Sequence, residues 1–226
     1  MNNDNLRKEI EFRKSFCKLN EDEFNLLMSG CRLKKIQPQR WIFDQGDKLD
    51  KIYFLLEGHI KMFSIDENGK FDSLKFISAN SFFPMEGITI SGEQKQNAVA
   101  VEESLVAIID LKILKKLMKS NFNFLYSFFN QMELENNRIS QILKYNSCTS
   151  ANRRVRQALN FIREEHSTSK NYVPFKILIK DIAALSGTTI ETTGFVIKEL
   201  IRENVISYNK KRIKFLNGKQ KIEERN

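Results

Sequence analysis

The chain has 226 residues, 41% of them hydrophobic, and a formal net charge of +9. This length can hold two domains with separate cores, and the basic charge suits an anionic partner. The apolar runs are too short to cross a bilayer and the first residues carry no signal-peptide core. We therefore exclude a membrane or secreted protein and expect a cytoplasmic one.

The three cysteines, Cys17, Cys31 and Cys148, are odd in number and widely separated in the sequence. This spacing argues against a disulfide framework. A thiol redox switch is one interpretation of these residues. We favour the other, in which each cysteine is a small buried hydrophobe.

Between residues 36 and 110, short β-rich segments alternate with turn residues. The turns include Gly46, Gly58 and Gly92 and the sequence Glu67-Asn68-Gly69. Strand formers of this kind, bounded by glycine and polar residues, predict an antiparallel sandwich or barrel. The predicted strands cover residues 40–43, 51–56, 59–63, 74–77 and 105–109.

Residues 111–146 follow a helical period instead. The apolar positions in this region alternate spacings of four and three residues, which is the seam of a two-stranded coiled coil. A buried asparagine in such a seam fixes register and favours a dimer. An alternative is that the stripe packs against its own sheet. The predicted seam consists of Leu125, Phe129, Met132, Asn136, Ile139 and Leu143.

Residues 177–208 have the pattern of a helix-turn-helix. Ile182, Ala183 and Leu185 give a short first helix one apolar face, and Ser186-Gly187-Thr188 suits a tight turn. Thr188 followed by Glu191 matches a capping box at the start of a second helix. Such a pair of helices presents its second member to the DNA major groove.

The second predicted helix has two distinct faces. Its inner face should pack on the first helix through Thr193, Val196, Ile197 and Leu200. The opposite face carries Glu191, Thr192, Phe195 and Lys198. After it, residues 205–216 predict two strands around a basic turn from Asn209 to Arg212, similar to a wing over the phosphate backbone. The alternative is an ordinary helical hairpin with a solvated polar face.

The order of these parts resembles the Crp/Fnr family of bacterial transcription regulators. The resemblance rests on FDQGDKLDKIYFLLEGHIKMF at residues 43–63, ENGK at residues 67–70 and DIAALSGTTIETTGFVIKEL at residues 181–200. It implies an α+β fold with an N-terminal antiparallel β-roll, that is, a double-stranded β-helix. The implied domains are a sensory roll with flanking helices (residues 1–120), a dimerisation helix (121–147) and a winged helix-turn-helix (148–226).

The resemblance implies that Glu191 reads a base, since a carboxylate accepts a hydrogen bond from cytosine N4. The best-known members carry two arginines on the same helix, at positions held here by Ile190 and Phe195. Because an exposed phenylalanine can contact a thymine methyl group, we expect an A/T-rich inverted repeat bound by a homodimer. The alternative is that Phe195 packs on the wing or in the core.

Further residues complete the predicted DNA-binding set. Phosphate contacts position the protein without reading sequence and make affinity sensitive to salt. We assign Thr188 to the interface at the turn, and the predicted phosphate contacts are Lys180, Thr189, Thr192, Lys198, Lys210, Lys211 and Arg212.

The effector expected in the roll is not cyclic AMP. Cyclic-nucleotide-binding members have a Gly-Glu pair for the ribose and an Arg-Ser or Arg-Thr pair for the phosphate. This chain has Glu86-Gly87 and Gln96-Asn97, and Gln96 lacks the charge that a cyclic phosphate requires. The apolar neighbours Phe82, Phe83 and Met85 either accommodate an apolar effector or fill the core, and we favour core filling.

No cofactor or metal is predicted. Iron-sulfur members need four cysteine ligands, and a lone histidine such as His59 is more often structural than a haem ligand. The sequence has no glycine-rich phosphate loop and no histidine pair at metal spacing, which argues against an enzyme. The expected partners are double-stranded DNA and a second copy of the chain, with RNA polymerase as a candidate. The alternative function is a small-molecule-binding module whose C-terminal hairpin contacts protein.

Overall fold

The structure is a computed structural model that describes residues 12–67, 69, 71–86, 88, 92–147 and 150–216. The chain divides into two compact units, residues 1–62 with 76–135, and residues 63–75 with 136–226. No helix within the described ranges is both long enough and apolar enough to span a membrane. The ENGK and Glu86-Gly87 motifs, Cys148 and the C-terminal tail lie wholly or partly outside the described residues.

Two four-stranded sheets form the β-rich region of the described chain. Their strand orders are β1-β8-β3-β6 and β2-β7-β4-β5, and each pairing whose register is resolved is antiparallel. The strands are β1 (Cys31–Ile36), β2 (Trp41–Phe43), β3 (Lys51–Glu57), β4 (His59–Ile65), β5 (Phe71–Ser78), β6 (Ser81–Phe83), β7 (Asn97–Ala100) and β8 (Ser104–Asp110).

Within the first of these sheets, the central strands β3 and β8 are buried on both faces. On β3, Tyr53 and Leu55 join an apolar cluster with residues of the second sheet, including Met62. The alternate residues Ile52 and Phe54 join a separate cluster with residues from the helices. Because side chains alternate across a strand, one strand contributes to both cores.

The helices that flank the sheets include α1 (Glu21–Ser29), α2 (Leu111–Ser120) and α3 (Phe122–Asn146). The break between α2 and α3 falls at Asn121, whose side-chain oxygen accepts a hydrogen bond from the backbone N–H of Phe124 at 2.9 Å. This bond satisfies an otherwise unpaired donor in the first turn of the long helix. Phe124 and Phe128 bury the inner face of α3 in the helix-side cluster.

The C-terminal region contains α4 (Ala151–His166), α5 (Ile179–Ser186), α6 (Ile190–Arg202), β9 (Ile206–Asn209) and β10 (Arg212–Phe215). Its buried apolar residues come from all five elements and include Leu159, Ile182, Leu200, Ile206 and Ile213. The α+β architecture predicted from the sequence, with an antiparallel β-rich part followed by a helix-turn-helix and a hairpin, is confirmed.

The five predicted β segments are all strands, but three strands were missed. β1 contains three basic residues, β6 has only three residues, and β7 has four and follows a polar loop. None of these segments combines sufficient length with a sustained alternation of apolar and polar residues, on which a sequence-based prediction depends.

Candidate nucleic-acid interface

Gly187 makes the turn between α5 and α6 possible. It ends α5 in the left-handed conformation, with φ of 57°, which costs a glycine little. The backbone N–H of Thr188 donates to the carbonyl of Ala183 at 3.0 Å, which closes the end of the helix. The predicted tight turn at Ser186-Gly187-Thr188 is confirmed.

The predicted capping box of Thr188 and Glu191 is wrong by one residue. The N-cap of α6 is Thr189, whose hydroxyl accepts from the backbone N–H of Thr192 at 3.1 Å. The Thr188 hydroxyl instead lies 2.8 Å from the hydroxyls of both Ser186 and Thr193. Because Ser186 and Thr193 are fully buried, this chain of hydroxyls fixes the turn from inside.

Glu191 lies in the first turn of α6 and is exposed to solvent. Hydrogen bonds from its own backbone N–H and from the Thr189 hydroxyl hold the pKa of its carboxyl below the usual value. The partial positive charge at a helix N-terminus acts in the same direction. The side chain is therefore a carboxylate that can only accept hydrogen bonds.

The two predicted faces of α6 are present. Thr193, Val196, Ile197 and Leu200 are buried. On the opposite side, Phe195 is 61% exposed and Ile190 is 53% exposed. The alternative that Phe195 packs on the wing or in the core is therefore wrong. Lys198 is exposed on the same side.

The wing hairpin turns at two lysines. Arg212 of β10 pairs with Asn209 of β9, so only Lys210 and Lys211 lie between the strands. Their φ angles are 49° and 66°. Two consecutive residues with positive φ form the type I′ turn that suits a two-residue hairpin, and the preferred residues in this turn are Asn-Gly. Two lysines in left-handed conformations are therefore strained in this turn.

Lys176 joins these basic residues at a surface groove. The groove is lined by Lys176, Asn209, Lys210, Lys211 and Arg212. The backbone N–H of Ile177 donates to the carbonyl of Lys211 at 2.8 Å, which brings the two segments together. Sequence reasoning missed Lys176 because it lies more than thirty residues before the turn.

Tyr208 ties the wing to the start of α5. Its hydroxyl donates to the carbonyl oxygen of Ile177 at 2.8 Å. Burial, and then the carboxylate of Asp181, raise the pKa of this phenol. The group therefore remains a donor. Lys180, on the exposed side of α5, has its ammonium 5.5 Å from the centre of the Phe71 ring.

Two arginines of α4 contact the helix-turn-helix and were missed from the sequence. Arg156 is 3% exposed and donates to Glu199 of α6 at 3.3 Å and to Glu203, the residue that follows this helix, at 3.5 Å. Arg154 donates to the carbonyl oxygens at the end of α5. No helix was predicted over residues 151–166, although Ser150 there is a good N-cap signal.

The predicted seam of α3 is exposed in the single chain. Phe129 is 59% exposed and Leu143 is 65% exposed, whereas Phe128 is 4% exposed. The residues that pack on the protein's own sheet are thus Phe124 and Phe128. Phe122, three residues before Leu125, continues the spacing and was missed. Other exposed seam residues are Leu125, Met132, Asn136 and Ile139.

The predicted effector residues are split between the two cores. Phe82 packs in the helix-side cluster, with its ring centre 4.8 Å from that of Phe54. Phe83 packs between the sheets and stacks on Tyr53 at 5.4 Å. As neighbours on one strand, the two phenylalanines face opposite ways and do not line one cavity. This packing agrees with the favoured interpretation of core filling.

The remaining members of that set are buried or half-buried. Gln96 and Asn97 are buried, and the side-chain oxygen of Asn97 accepts from the backbone N–H of Gln45 at 2.9 Å. Met85 and Glu86 are half-buried. The six predicted residues include no cation that would pair with a cyclic phosphate.

The surroundings of His59 and Cys31 indicate that both residues have structural roles. Nδ1 of His59 lies 2.6 Å from a carboxylate oxygen of Glu102. Burial raises the pKa of the Cys31 thiol to about 12, whereas Cys17 is exposed. A thiol held protonated in this way is a poor nucleophile.

Comparison with known proteins agrees with this geometry. Residues 33–121 match the family described as Cyclic nucleotide-binding domain. The cAMP-activated global transcriptional regulator CRP of Salmonella typhimurium is 24% identical over 189 residues, covering 82% of this chain and 90% of that protein. The fumarate and nitrate reduction regulatory protein of Vibrio cholerae is 26% identical, covering 91% and 83%.

Among solved structures, FixK2 from Bradyrhizobium japonicum has the same fold. Its TM-score is 0.73 at 14% identity, and the match covers 85% of this chain and 95% of FixK2. The chain is similar to Crp/Fnr-type transcription regulators in its matched domain, in its sequence relatives and in its fold.

Proposed function

We propose that this protein is a homodimeric regulator that reads an A/T-rich inverted repeat in double-stranded DNA without requiring cyclic AMP. The observation that carries the proposal is the exposed side of α6. Ile190 and Phe195 occupy this face beside Glu191 and Lys198, and both are more than half exposed. Because the chromosome of a bacterium lies in the cytoplasm, we place a protein with this function there.

The apolar pair favours contacts with thymine. Neither Ile190 nor Phe195 can donate a hydrogen bond to guanine or phosphate. The apolar group that a base pair offers in the major groove is the C5-methyl of thymine. Covering these two side chains with thymine methyl groups would remove apolar surface from water. An A/T-rich half-site follows from this chemistry.

Glu191 supplies the polar part of the base reading. A carboxylate accepts a hydrogen bond, and in the major groove the N4 amino group of cytosine is its usual donor. We therefore expect one G·C pair in each otherwise A/T-rich half-site. Thr189, Thr192 and Thr188 lie at the start of the same helix, where phosphate oxygens approach backbone N–H groups.

Affinity that does not depend on sequence would come from the basic residues. Lys176 and the wing residues Lys210, Lys211 and Arg212 line one groove. Lys180 and Lys198 are exposed on α5 and α6. Each phosphate neutralised releases counterions, so binding would weaken steeply as salt rises.

Dimerisation would place two α6 helices on one duplex. The apolar stripe of α3 is exposed from Phe122 to Leu143 in the single chain, which is the pattern of a coiled-coil seam without its partner. A second copy would cover it, with Asn136 opposite Asn136. We accordingly propose residues 121–147 as the dimerisation helix between a sensory roll (1–120) and the DNA-binding domain (148–226).

Independence from cyclic AMP is supported by Gln96. The Salmonella relative is described as activated by cAMP, but here an uncharged, buried amide occupies the position where such members carry the arginine. An amide cannot neutralise a cyclic phosphate. Any other ligand of the roll would act only by binding the DNA-competent arrangement better than the incompetent one.

The test is selection of the full-length protein against a random duplex pool at near-physiological salt, with and without cyclic AMP. We expect the same A/T-rich inverted repeat in both arms, with half-site centres about one helical turn apart. Enrichment only in the cyclic AMP arm would disprove independence from that ligand. Absence of enrichment in both arms, with binding that disappears as salt rises, would count against base reading.

A second candidate is a small-molecule-binding module whose C-terminal hairpin contacts protein rather than DNA. The exposed Ile190 and Phe195 would suit such a partner too. Replacing Lys180, Lys198 and Arg212 with alanine distinguishes the two. Only the DNA-binding function predicts a salt slope that becomes shallower by about three.

A further inference from the structure

Gly194, in the middle of α6, is the described glycine for which the folded chain gives no reason. The structure describes Gly30, Gly46, Gly58, Gly69, Gly92, Gly187 and Gly194. Five of them have φ angles between 57° and 90° that glycine adopts most easily, and at Gly30 an added Cβ would lie 2.3 Å from Ile113. Gly194 is helical, and in the part of the chain that the structure describes an added Cβ would meet no atom within 4 Å.

Glycine at such a position weakens a helix, because it lacks the restriction that alanine gives the backbone. No contact among the described residues compensates for this cost at Gly194. A partner that occupies the space of the missing Cβ would account for the glycine. Glycine is the residue that lets a ligand approach a backbone closely.

The position of Gly194 on the helix indicates where this partner would lie. At helical spacing, Gly194 is one turn after Ile190 and one turn before Lys198, on the side that also carries Glu191. The exposed side chains on this face therefore surround a notch whose floor is the backbone of Gly194. The face is the same one that the proposed function assigns to the major groove.

The chemistry of the notch selects an apolar group. In the middle of α6 the backbone N–H and C=O groups are used by the helix itself, so the floor offers no free hydrogen-bonding group. Ile190 forms an apolar wall, more than half exposed. A phosphate or a polar base edge would lose hydrogen bonds to water at this point without replacement.

We infer that the notch at Gly194 receives the C5-methyl group of one thymine in each half-site. Among the base edges of the major groove, this methyl is the apolar substituent. The inference rests on the proposed function and makes it more specific. Gly194 would set the preference for thymine at this base pair because it lacks a side chain. A methyl group on the protein and the methyl group on the base would compete for the same space.

The test combines Gly194→Ala with removal of the thymine methyl. The selected operator is synthesised with deoxyuridine in place of one thymine at a time, symmetrically in both half-sites. The dissociation constants of the full-length wild type and variant are then measured on each duplex. Thermal melting serves as the control for folding, and the variant should melt no lower than wild type because alanine is the better helix former.

On the thymine operator, Gly194→Ala should bind about tenfold more weakly or worse, as expected for overpacking. At one position, deoxyuridine should restore the variant to within about threefold of wild type on the same duplex, while wild type loses about fourfold for the missing methyl. Equal binding of variant and wild type on the thymine operator would overturn the inference. So would a loss that deoxyuridine restores at no position. Failure of wild type to select any inverted repeat would refute the proposed function itself.

Discussion

Arg154 on α4 donates a hydrogen bond from Nε to the main-chain carbonyl oxygen of Ser186, 3.1 Å away. Its Nη2 lies 3.3 Å from the carbonyl oxygen of Gly187. The last carbonyls of a helix have no partner within the helix and carry partial negative charge. A guanidinium outside the helix-turn-helix therefore stabilises the turn that sets the direction of α6.

Replacing Arg154 with alanine should loosen this turn. The lost hydrogen bonds to a charged group correspond to about 1–2 kcal/mol of unfolding free energy for a half-exposed residue. Operator affinity should fall further than one lost charge explains, because α6 would no longer be held in one orientation. Thermal melting and binding titrations at two salt concentrations measure both effects.

The matched control is Arg153→Ala, one residue earlier and exposed. It removes the same charge without removing the contacts to Ser186 and Gly187. If the two variants lost stability and affinity equally, Arg154 would have no positioning role.

The sequence predicted the parts of this site whose signals are local. The buried face of α6 follows from helical spacing alone, and the turn follows from Gly187, because these features depend on neighbours a few residues away. The contact of Arg154 with Ser186 joins residues 32 positions apart, across a helix that the sequence analysis did not identify. Pairings at that range leave no pattern in a single sequence.

Two errors have the same origin. Thr188 and Thr189 both suit a helix N-cap, and the choice between them depends on the buried hydroxyl of Thr193, which engages Thr188. The alternative in which Phe82 and Phe83 line one effector pocket overlooked that a strand places neighbouring residues on opposite faces. Which core each one enters depends on the packing of the sheet between the helices and its partner sheet.

Glu191→Ala should remove discrimination at one base pair in each half-site. The remaining phosphate contacts should leave salt-sensitive, non-specific binding nearly unchanged. We expect about tenfold or greater relaxation at that position. A second selection with the variant measures this relaxation, and an unaltered sequence preference would show that Glu191 does not read a base.

The pKa of Glu191 predicts how discrimination at this base pair responds to pH. Its pKa is lowered by hydrogen bonds from its own N–H and from Thr189, so the carboxylate persists as the pH falls and is lost only below the ordinary range of a glutamic acid. Discrimination at this base pair should therefore be constant from about pH 8 to about pH 5. Glu191→Gln is the control, since its discrimination should be altered at every pH. A wild-type preference that titrated near neutrality would contradict this assignment.

In the wing turn, the effect of the two lysine charges on DNA binding can be measured separately from the effect of their backbone conformation on stability. Replacing Lys210 with asparagine and Lys211 with glycine supplies residues that the turn prefers, and should stabilise the domain by about 1 kcal/mol. The same change should reduce the salt slope of DNA binding by about two, since two phosphate contacts are lost. Melting curves and titrations over a range of salt measure the two effects.

The control for the wing carries glutamine at both Lys210 and Lys211. It removes the charges but leaves the strained conformation, so its salt slope should fall by the same amount without a gain in stability. An unchanged slope in both variants would mean that the wing does not contact phosphate.

The seam of α3 predicts a specific loss of dimerisation. Ile139→Glu would place an unpaired charge in the interface of each helix, and the dimer dissociation constant should rise about a hundredfold or more. Gln141→Glu introduces the same residue on the far side of the helix and should leave the dimer intact. Sedimentation velocity over a dilution series distinguishes the two. Equal behaviour of both variants would place the dimer interface elsewhere.

Cys31 should be inert as a thiol. Because burial raises its pKa to about 12, only about one molecule in ten thousand carries the thiolate at pH 8. In a Cys148→Ser background, an aromatic disulfide reagent should therefore modify the exposed Cys17 at least about a hundredfold faster than Cys31, with both reacting together in denaturant. The Cys31 rate should rise about tenfold per pH unit, because the thiolate fraction does. Rapid modification of Cys31 in the folded protein at pH 8 would restore this residue as a candidate redox sensor.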